Sequence, residues 1–458
     1  MKKSILRIEV LFYFLCTPQS KLGSKMYEKR EKFSGRLGFI LSCIGSSVGI
    51  GNVWLFPYRV CENGGAVFIL LYIFFVITVG FAGMVGEMAF GRAMQSGPME
   101  AFRKVFENKG WKWGKNLGLI PTINSVLLAI GYSVIIGWVL YFLKESIVAS
   151  LLWSDTWSKF LKISSNFSNI PYHTAGLMIA FLITVFGIQK GIETINKILM
   201  PTFFLFFLLL ATRVSFLPRS YLGYKFLTSI DFRYFLNFKT YIYALSQAIF
   251  SLSLAGSGMV VYGSYLKKDE NIPLCAGYTS LCTILASLLA TITIIPSVFS
   301  FGMSLKSGPA LLFITMPSVF EMVPFGSFFS VLFFVSILFA ATTSLINMFE
   351  APIVSIKSHF KLSRFKSALA IFLPATFISI TIENKNSVGI WMDIISVYFM
   401  PFCALLAAIT FFVICGKDFA RNEIENGMKR PLTKWFNMSY LMYMLFLVFI
   451  YIIEIFGK

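Results

Sequence analysis

The chain has 458 residues, 57% of them hydrophobic and 13% charged, with a formal net charge of +19. Soluble domains carry roughly 25% charged residues, so this composition excludes a soluble globule and indicates a polytopic membrane protein. The basic balance does not point to nucleic acid: Lys and Arg sit in loops between apolar segments, as the positive-inside rule requires, and no compact basic domain exists.

Residues 1–33 surround one short apolar patch, Val10 to Cys16. It falls short of the ~20 residues a span needs. No clean small-x-small cleavage site follows it, which argues against a signal peptide. The expectation is a disordered cytoplasmic arm, or an upstream start with Met26 as the true first residue. Beyond it, about eleven segments are long and apolar enough to cross a bilayer. They run near 37–60, 65–91, 117–147, 173–188, 194–217, 240–265, 274–303, 327–356, 365–382, 390–414 and 436–456. Basic residues after spans 2, 6, 8 and 10 and before span 1 share one side if the N-terminus is cytoplasmic. The long loop 213–239 is the exception.

Span 1 contains Gly45-Ser46-Ser47-Val48-Gly49-Ile50-Gly51-Asn52. Lipid offers backbone groups no hydrogen-bond partners, so three glycines and three small polar residues at mid-span predict a deliberate break. A broken helix presents carbonyls to a cation and a half-helix N-terminus to an anion. Span 6 carries a second such run, Phe250 to Gly258. Small residues spaced i, i+4 also serve plain helix packing, but two breaks opening successive groups of five spans point to an inverted-repeat transporter with its site at the midplane. The fold class expected is therefore an all-α polytopic membrane protein with a five-plus-five core. The first repeat would occupy 34–218, the second 219–416, and one further helix 417–458.

Other chemistry is sparse. The seven cysteines form no CxxC pair, and His173 and His359 stand far apart, so neither a disulfide framework nor a metal cluster is expected. There is no Ser-His-Asp set and no Walker loop; the protein is not expected to be an enzyme. Adjacent Thr342, Thr343 and Ser344 in span 8 either face something polar or bond their own helix carbonyls. Glu87 is an acid within span 2, where an ionisable side chain is costly and usually functional.

Arg36-Leu37-Gly38, the run from Gly45 to Trp54, Phe56-Pro57-Tyr58 and Glu62-Asn63-Gly64-Gly65 resemble the neurotransmitter:sodium symporter family. So do Gly86-Glu87 with Gly91-Arg92, Lys190-Gly191-Ile192-Glu193, Gln247 with Phe250-Ser251-Leu252-Ser253, and Ala340 to Ser344. The resemblance extends from about Arg36 to the end and is closest to bacterial members. It implies a sodium-coupled amino acid symporter in the inner membrane, working by alternating access.

By that resemblance, two Na⁺ ions are carried. One site (Na2) would use Gly45, Val48, Ala340, Thr343 and Ser344. The other (Na1) would use Ser47, Asn52, Ser251 and, in place of the usual Asn or Asp, Thr283. Tyr72, Gln247, Ser251 and Ser287 match a chloride site, which implies dependence on Cl⁻. The substrate carboxylate would meet Ile50, Gly51 and Tyr132. Gly49 stands where monoamine carriers have an acid, which argues for an amino acid. Ser46, Ser47, Leu128, Phe250, Ser251, Ser253, Gly256, Ser344 and Met348 would complete the pocket. Gly256 replaces a bulky aromatic, implying an enlarged pocket and a large hydrophobic or aromatic substrate such as tryptophan, tyrosine, phenylalanine or leucine. A methylene discriminates by only ~1–3 kcal/mol in such a pocket, so several could be carried.

Glu87 would hold the span 6 backbone. Phe250 and Tyr132 would form the outer lid. Asp393 would be the acid of the outer gate, whose Arg position holds Leu55, with Arg59 one turn further out. Arg30, Phe33, Ser264 and Tyr265 would belong to the inner gate, whose acid position holds Ser358. The partners implied are an amino acid and the lipid bilayer; nothing bears on oligomeric state. A sensor or leak channel on the same scaffold, and coupling to another ion, are the alternatives.

Overall fold

The computed structural model describes residues 31–148, 155–165, 167–302, 311–429, 431–432 and 434–456. Arg30 and most of the expected N-terminal arm lie outside them. The described chain is almost wholly helical. Its helices are α1 (Arg36–Ser47), α2 (Gly51–Glu62), α3 (Ala66–Met94), α4 (Pro98–Glu107), α5 (Gly114–Ile147), α6 (Thr156–Ile163), α7 (Ile170–Val185), α8 (Ile188–Ser215) and α9 (Ser220–Thr228). There follow α10 (Phe238–Ser251), α11 (Gly258–Gly263), α12 (Ile272–Ser300), α13 (Leu311–Glu321), α14 (Gly326–Phe360), α15 (Arg364–Thr381), α16 (Lys385–Ile414), α17 (Lys417–Glu425) and α18 (Lys434–Phe456).

Among the described residues, seven of these are long and apolar enough to cross a bilayer, and the pair α1–α2, bent by 56°, makes an eighth. The shorter α7, the broken pair α10–α11 and α18 occupy the remaining expected spans. Apolar side chains such as Phe74, Ile77, Leu205, Leu208 and Phe377 stay exposed around the outside, as a lipid-facing surface requires. The sequence reading missed α13, an apolar helix between spans 7 and 8.

The two breaks have local causes. Helix α1 stops where Val48 turns extended (φ −84°, ψ 103°), and the chain resumes with a wide π-type turn at Gly51. Between α10 and α11, Ser253 (φ 55°) and Gly256 (φ 64°) adopt left-handed backbone. Glycine does this freely; serine does not, and needs compensation. Ser253 finds it by donating its hydroxyl to the Ser46 carbonyl at 2.7 Å, which ties the two breaks to each other. Around them, α5 packs along α14, with α7 and α15 against both, while α3, α8 and α12 close the other sides. His173 belongs to this packing: its ring is buried between Glu383 (3.4 Å) and Ser379 (3.2 Å). No group of three metal-binding side chains occurs among the described residues.

Candidate substrate and ion site

The α1–α2 break leaves carbonyls without helical partners, and α14 supplies hydroxyls opposite them. Ser344 Oγ lies 3.2 Å from each of the carbonyl oxygens of Gly45, Ser46 and Val48. One residue earlier, Thr343 Oγ1 lies 3.0 Å from the Ala340 carbonyl. Of the five groups expected at Na2, Ser344 meets the Gly45 and Val48 carbonyls, while Thr343, packed against Gly45, bonds the Ala340 and Phe339 carbonyls of its own helix; all are neutral oxygen donors. That is the chemistry that replaces the hydration shell of a small monovalent cation.

On the other side of the break, Asn52 Oδ1 accepts from the Gly49 N–H (3.0 Å), while its Nδ2 donates to Ser287 Oγ (2.9 Å). The Tyr72 hydroxyl reaches Ser251 (3.0 Å) and Ser287 (3.2 Å). Gln247 donates to the Gly51 carbonyl at 3.4 Å. Thus Tyr72, Ser251, Ser287 and Asn52 form one buried hydrogen-bonded group with Gln247 beside it. Thr283 is turned back on its own helix, donating to the Thr279 carbonyl at 2.8 Å.

Between the breaks lies a cavity of about 40 Å³, lined by Ser46, Ser47, Gly49, Gly51, Asn52, Leu128, Tyr132, Phe250, Ser253, Ser344 and Met348 among others. Tyr132 and Phe250 also line a second cavity of about 740 Å³ that runs along α2 past Trp54, Tyr58 and Arg59 to Asp393. These two side chains stand between the small cavity and the large one. Tyr132 is fixed there by accepting the Ile50 N–H at 2.8 Å, with Ser344 beside its hydroxyl. The opposite end, toward Phe33, is packed shut: Phe33 is buried with its ring against Phe39, Tyr262 and Tyr265.

The family model described as the sodium:neurotransmitter symporter family matches residues 30–169 and 157–457. The chain belongs to this family. It is similar to an uncharacterised sodium-dependent transporter of Bacillus subtilis, 34% identical over 91% of this chain and 95% of that one. A counterpart in Methanocaldococcus jannaschii is 31% identical over 89% and 87% of the two chains. Among solved structures, the transporter MhsT in complex with L-phenylalanine superposes with a TM-score of 0.83 at 29% identity, covering 93% of this chain and 99% of that one. The protein is thus a sodium-coupled integral membrane transporter.

With this symporter's site assembled, several expectations need correction. Gly256 does not line the pocket. Its backbone is turned so that a side chain would point at the Cys403 carbonyl (2.5 Å) and Ala407, away from the cavity. The aromatic absent at this position therefore leaves no extra room. The Gly256 N–H instead donates to Glu87 Oε1 at 2.8 Å, so the buried acid of α3 does hold the α10–α11 break. Ile50 faces the large cavity rather than the small one, and Ser251 belongs to the hydroxyl cluster. Asp393, expected at the outer gate, lies exposed in the wall of the large cavity and makes no ion pair among the described residues, while Arg59 stacks on the Tyr243 ring at 3.9 Å.

The Phe33 end is better sealed than its expected gate positions suggested. Ser358 spends its hydroxyl on the Val354 carbonyl of its own helix. The acid comes from Glu350, fully buried, which accepts from the Tyr265 hydroxyl (2.6 Å) and pairs with Arg364 (2.6 Å). Arg364 also reaches Glu31 at 3.5 Å. The sequence reading missed Glu350 and Arg364, and it missed Asn124, Ser125, Ala255, Ser257, Gly258, Asn347 and Met400 in the cavity wall. Helical spacing contained part of that signal: Asn124 is one turn from Leu128, and Asn347 is one turn from Ser344.

Proposed function

We propose that the protein is a symporter that couples Na⁺ entry to uptake of a neutral α-amino acid by alternating access. The observation carrying this is the convergence of the Ser344 hydroxyl on the Gly45, Ser46 and Val48 carbonyls of the broken α1, beside a cavity lined by Ser46, Ser47, Asn52 and Ser344. The substrate carboxylate meets the Gly51 N–H and the Tyr132 hydroxyl, near the positive end of the α2 half-helix. Its ammonium meets carbonyls of the two breaks. Leu128, Phe250 and Met348 receive the side chain, in keeping with the L-phenylalanine held by the related MhsT. No ionisable residue other than the tyrosine lines this cavity, and an unpaired buried charge is strongly disfavoured, so substrates with charged side chains are excluded.

Two Na⁺ ions move with each substrate, one at Gly45, Val48, Ala340, Thr343 and Ser344, the other near Ser47 and Asn52. The hydroxyl cluster of Tyr72, Ser251 and Ser287 contains no acid, which favours a chloride ion there. Transport unchanged when gluconate replaces chloride would remove that ion from the scheme. A large cavity on the Asp393 side with the Phe33 side shut is the outward-facing member of an alternating pair.

The test is uptake of radiolabelled phenylalanine into proteoliposomes in external Na⁺ or external K⁺, for the native protein and Thr343→Ala. Saturable uptake in Na⁺ alone, abolished by the substitution, is expected. Equal uptake in both media would overturn the coupling.

A further inference from the structure

The far wall of the small cavity is polar, which its expected apolar substrates do not explain. Asn124 on α5 is 1% exposed, and neither its amide oxygen nor its amide nitrogen has a hydrogen-bond partner within the protein. Asn347 on α14, which lines the same cavity, is 3% exposed and its amide nitrogen is likewise unpartnered. Ser257 completes this corner, while Ser125 is already spent on the Met348 carbonyl at 2.7 Å. Buried amides are almost always paired, and an orphan of this kind calls for an explanation. Two carboxamides facing one cavity offer both a donor and an acceptor to whatever enters it.

We infer that Asn124 and Asn347 determine specificity by hydrogen-bonding the tip of the substrate's side chain, so that the protein selects neutral amino acids carrying a hydroxyl, amide or ring N–H over their apolar counterparts. This rests on the symporter reading above and narrows its substrate class. Leu128, Phe250 and Met348 contact the body of the side chain; the two asparagines read its end. An apolar side chain of the same size fills the space but leaves three buried polar atoms unpaired. A site built around such atoms rejects the analogue that lacks the matching group far more strongly than an apolar pocket rejects a missing methylene.

The experiment compares sodium-dependent binding of near-isosteric pairs to the purified protein: tyrosine with phenylalanine, threonine with valine, glutamine with methionine. Each pair is measured on the native chain, Asn124→Leu and Asn347→Leu. The native protein is expected to bind the polar member at least about tenfold more tightly, the ratio that one unpaired buried group commonly sets. Asn124→Leu is expected to erase or invert the preference. Equal or tighter native binding of the apolar members overturns the inference, independently of how the variants fold. A preference that survives in both variants overturns its assignment to these residues. Absence of sodium-dependent binding by any of the six amino acids overturns the symporter reading itself, and this inference with it.

Discussion

A missing side chain at position 49 decides much of the ligand chemistry. A Cβ on Gly49 would stand 2.6 Å from the Tyr132 hydroxyl and 2.8 Å from Ser344 Oγ, so any side chain at this position must displace these hydroxyls. Gly49→Ala is expected to abolish sodium-dependent amino acid binding while the protein still elutes as a folded species on gel filtration. Retained affinity would show that the contact is slack. Glu87 acts differently, through the backbone. Replacing it with leucine strips the Gly256 N–H of its acceptor inside the protein and is expected to cost about 1–3 kcal/mol. Glu87→Gln keeps an acceptor oxygen and should cost much less. Thermal unfolding in detergent separates the two; equal losses would mean that the acid matters for its charge.

The elements show how closure at the Phe33 end is achieved. Phe33 lies at the entry to α1, Tyr265 just past α11, and Glu350 and Arg364 on α14 and α15, so one buried ion pair joins the broken helices to their scaffold. Removing one partner of a buried pair leaves an uncompensated charge, at a cost of about 3–5 kcal/mol. Arg364→Gln should therefore loosen this end and expose Cys43, which is fully buried in α1. Faster maleimide labelling of the Cys43 peptide, read by mass spectrometry, is the expected result; an unchanged rate would place the seal elsewhere. The breaks themselves were legible in the sequence, because glycines and hydroxyls at mid-span violate the rule that lipid-facing backbone satisfies itself. The direction in which Gly256 faces was not, since a left-handed residue inside a break follows neither helical nor strand periodicity. Nor was the Glu350–Arg364 pair, whose members are brought together by the turn between two helices. Asn124 and Asn347 fell on faces already identified at Leu128 and Ser344, but only their shared burial without partners gives them a role.

For the whole molecule, the proposed scheme puts ions and substrate where α1, α10, α12 and α14 meet, so occupancy should stabilise the entire bundle. A ligand that binds only the folded state adds about 2.7 kcal/mol at a hundredfold excess over its dissociation constant. Sodium, but not potassium, is expected to raise the melting temperature, and Ser344→Ala to remove that increase; identical melting in both salts would argue against a selective site. In the proposed alternating-access cycle, the large cavity on one face and the packed aromatic seal on the other correspond to one end state. The central claim is that a sodium gradient performs work on the amino acid. It is tested most directly by the steady accumulation of labelled substrate in proteoliposomes at zero membrane potential, measured against the imposed sodium gradient. With two ions per substrate, a tenfold gradient supports about a hundredfold accumulation, and with one ion about tenfold. Accumulation rising as the square of the gradient is the predicted result. Equilibration to equal concentrations inside and out, whatever the gradient, would contradict it.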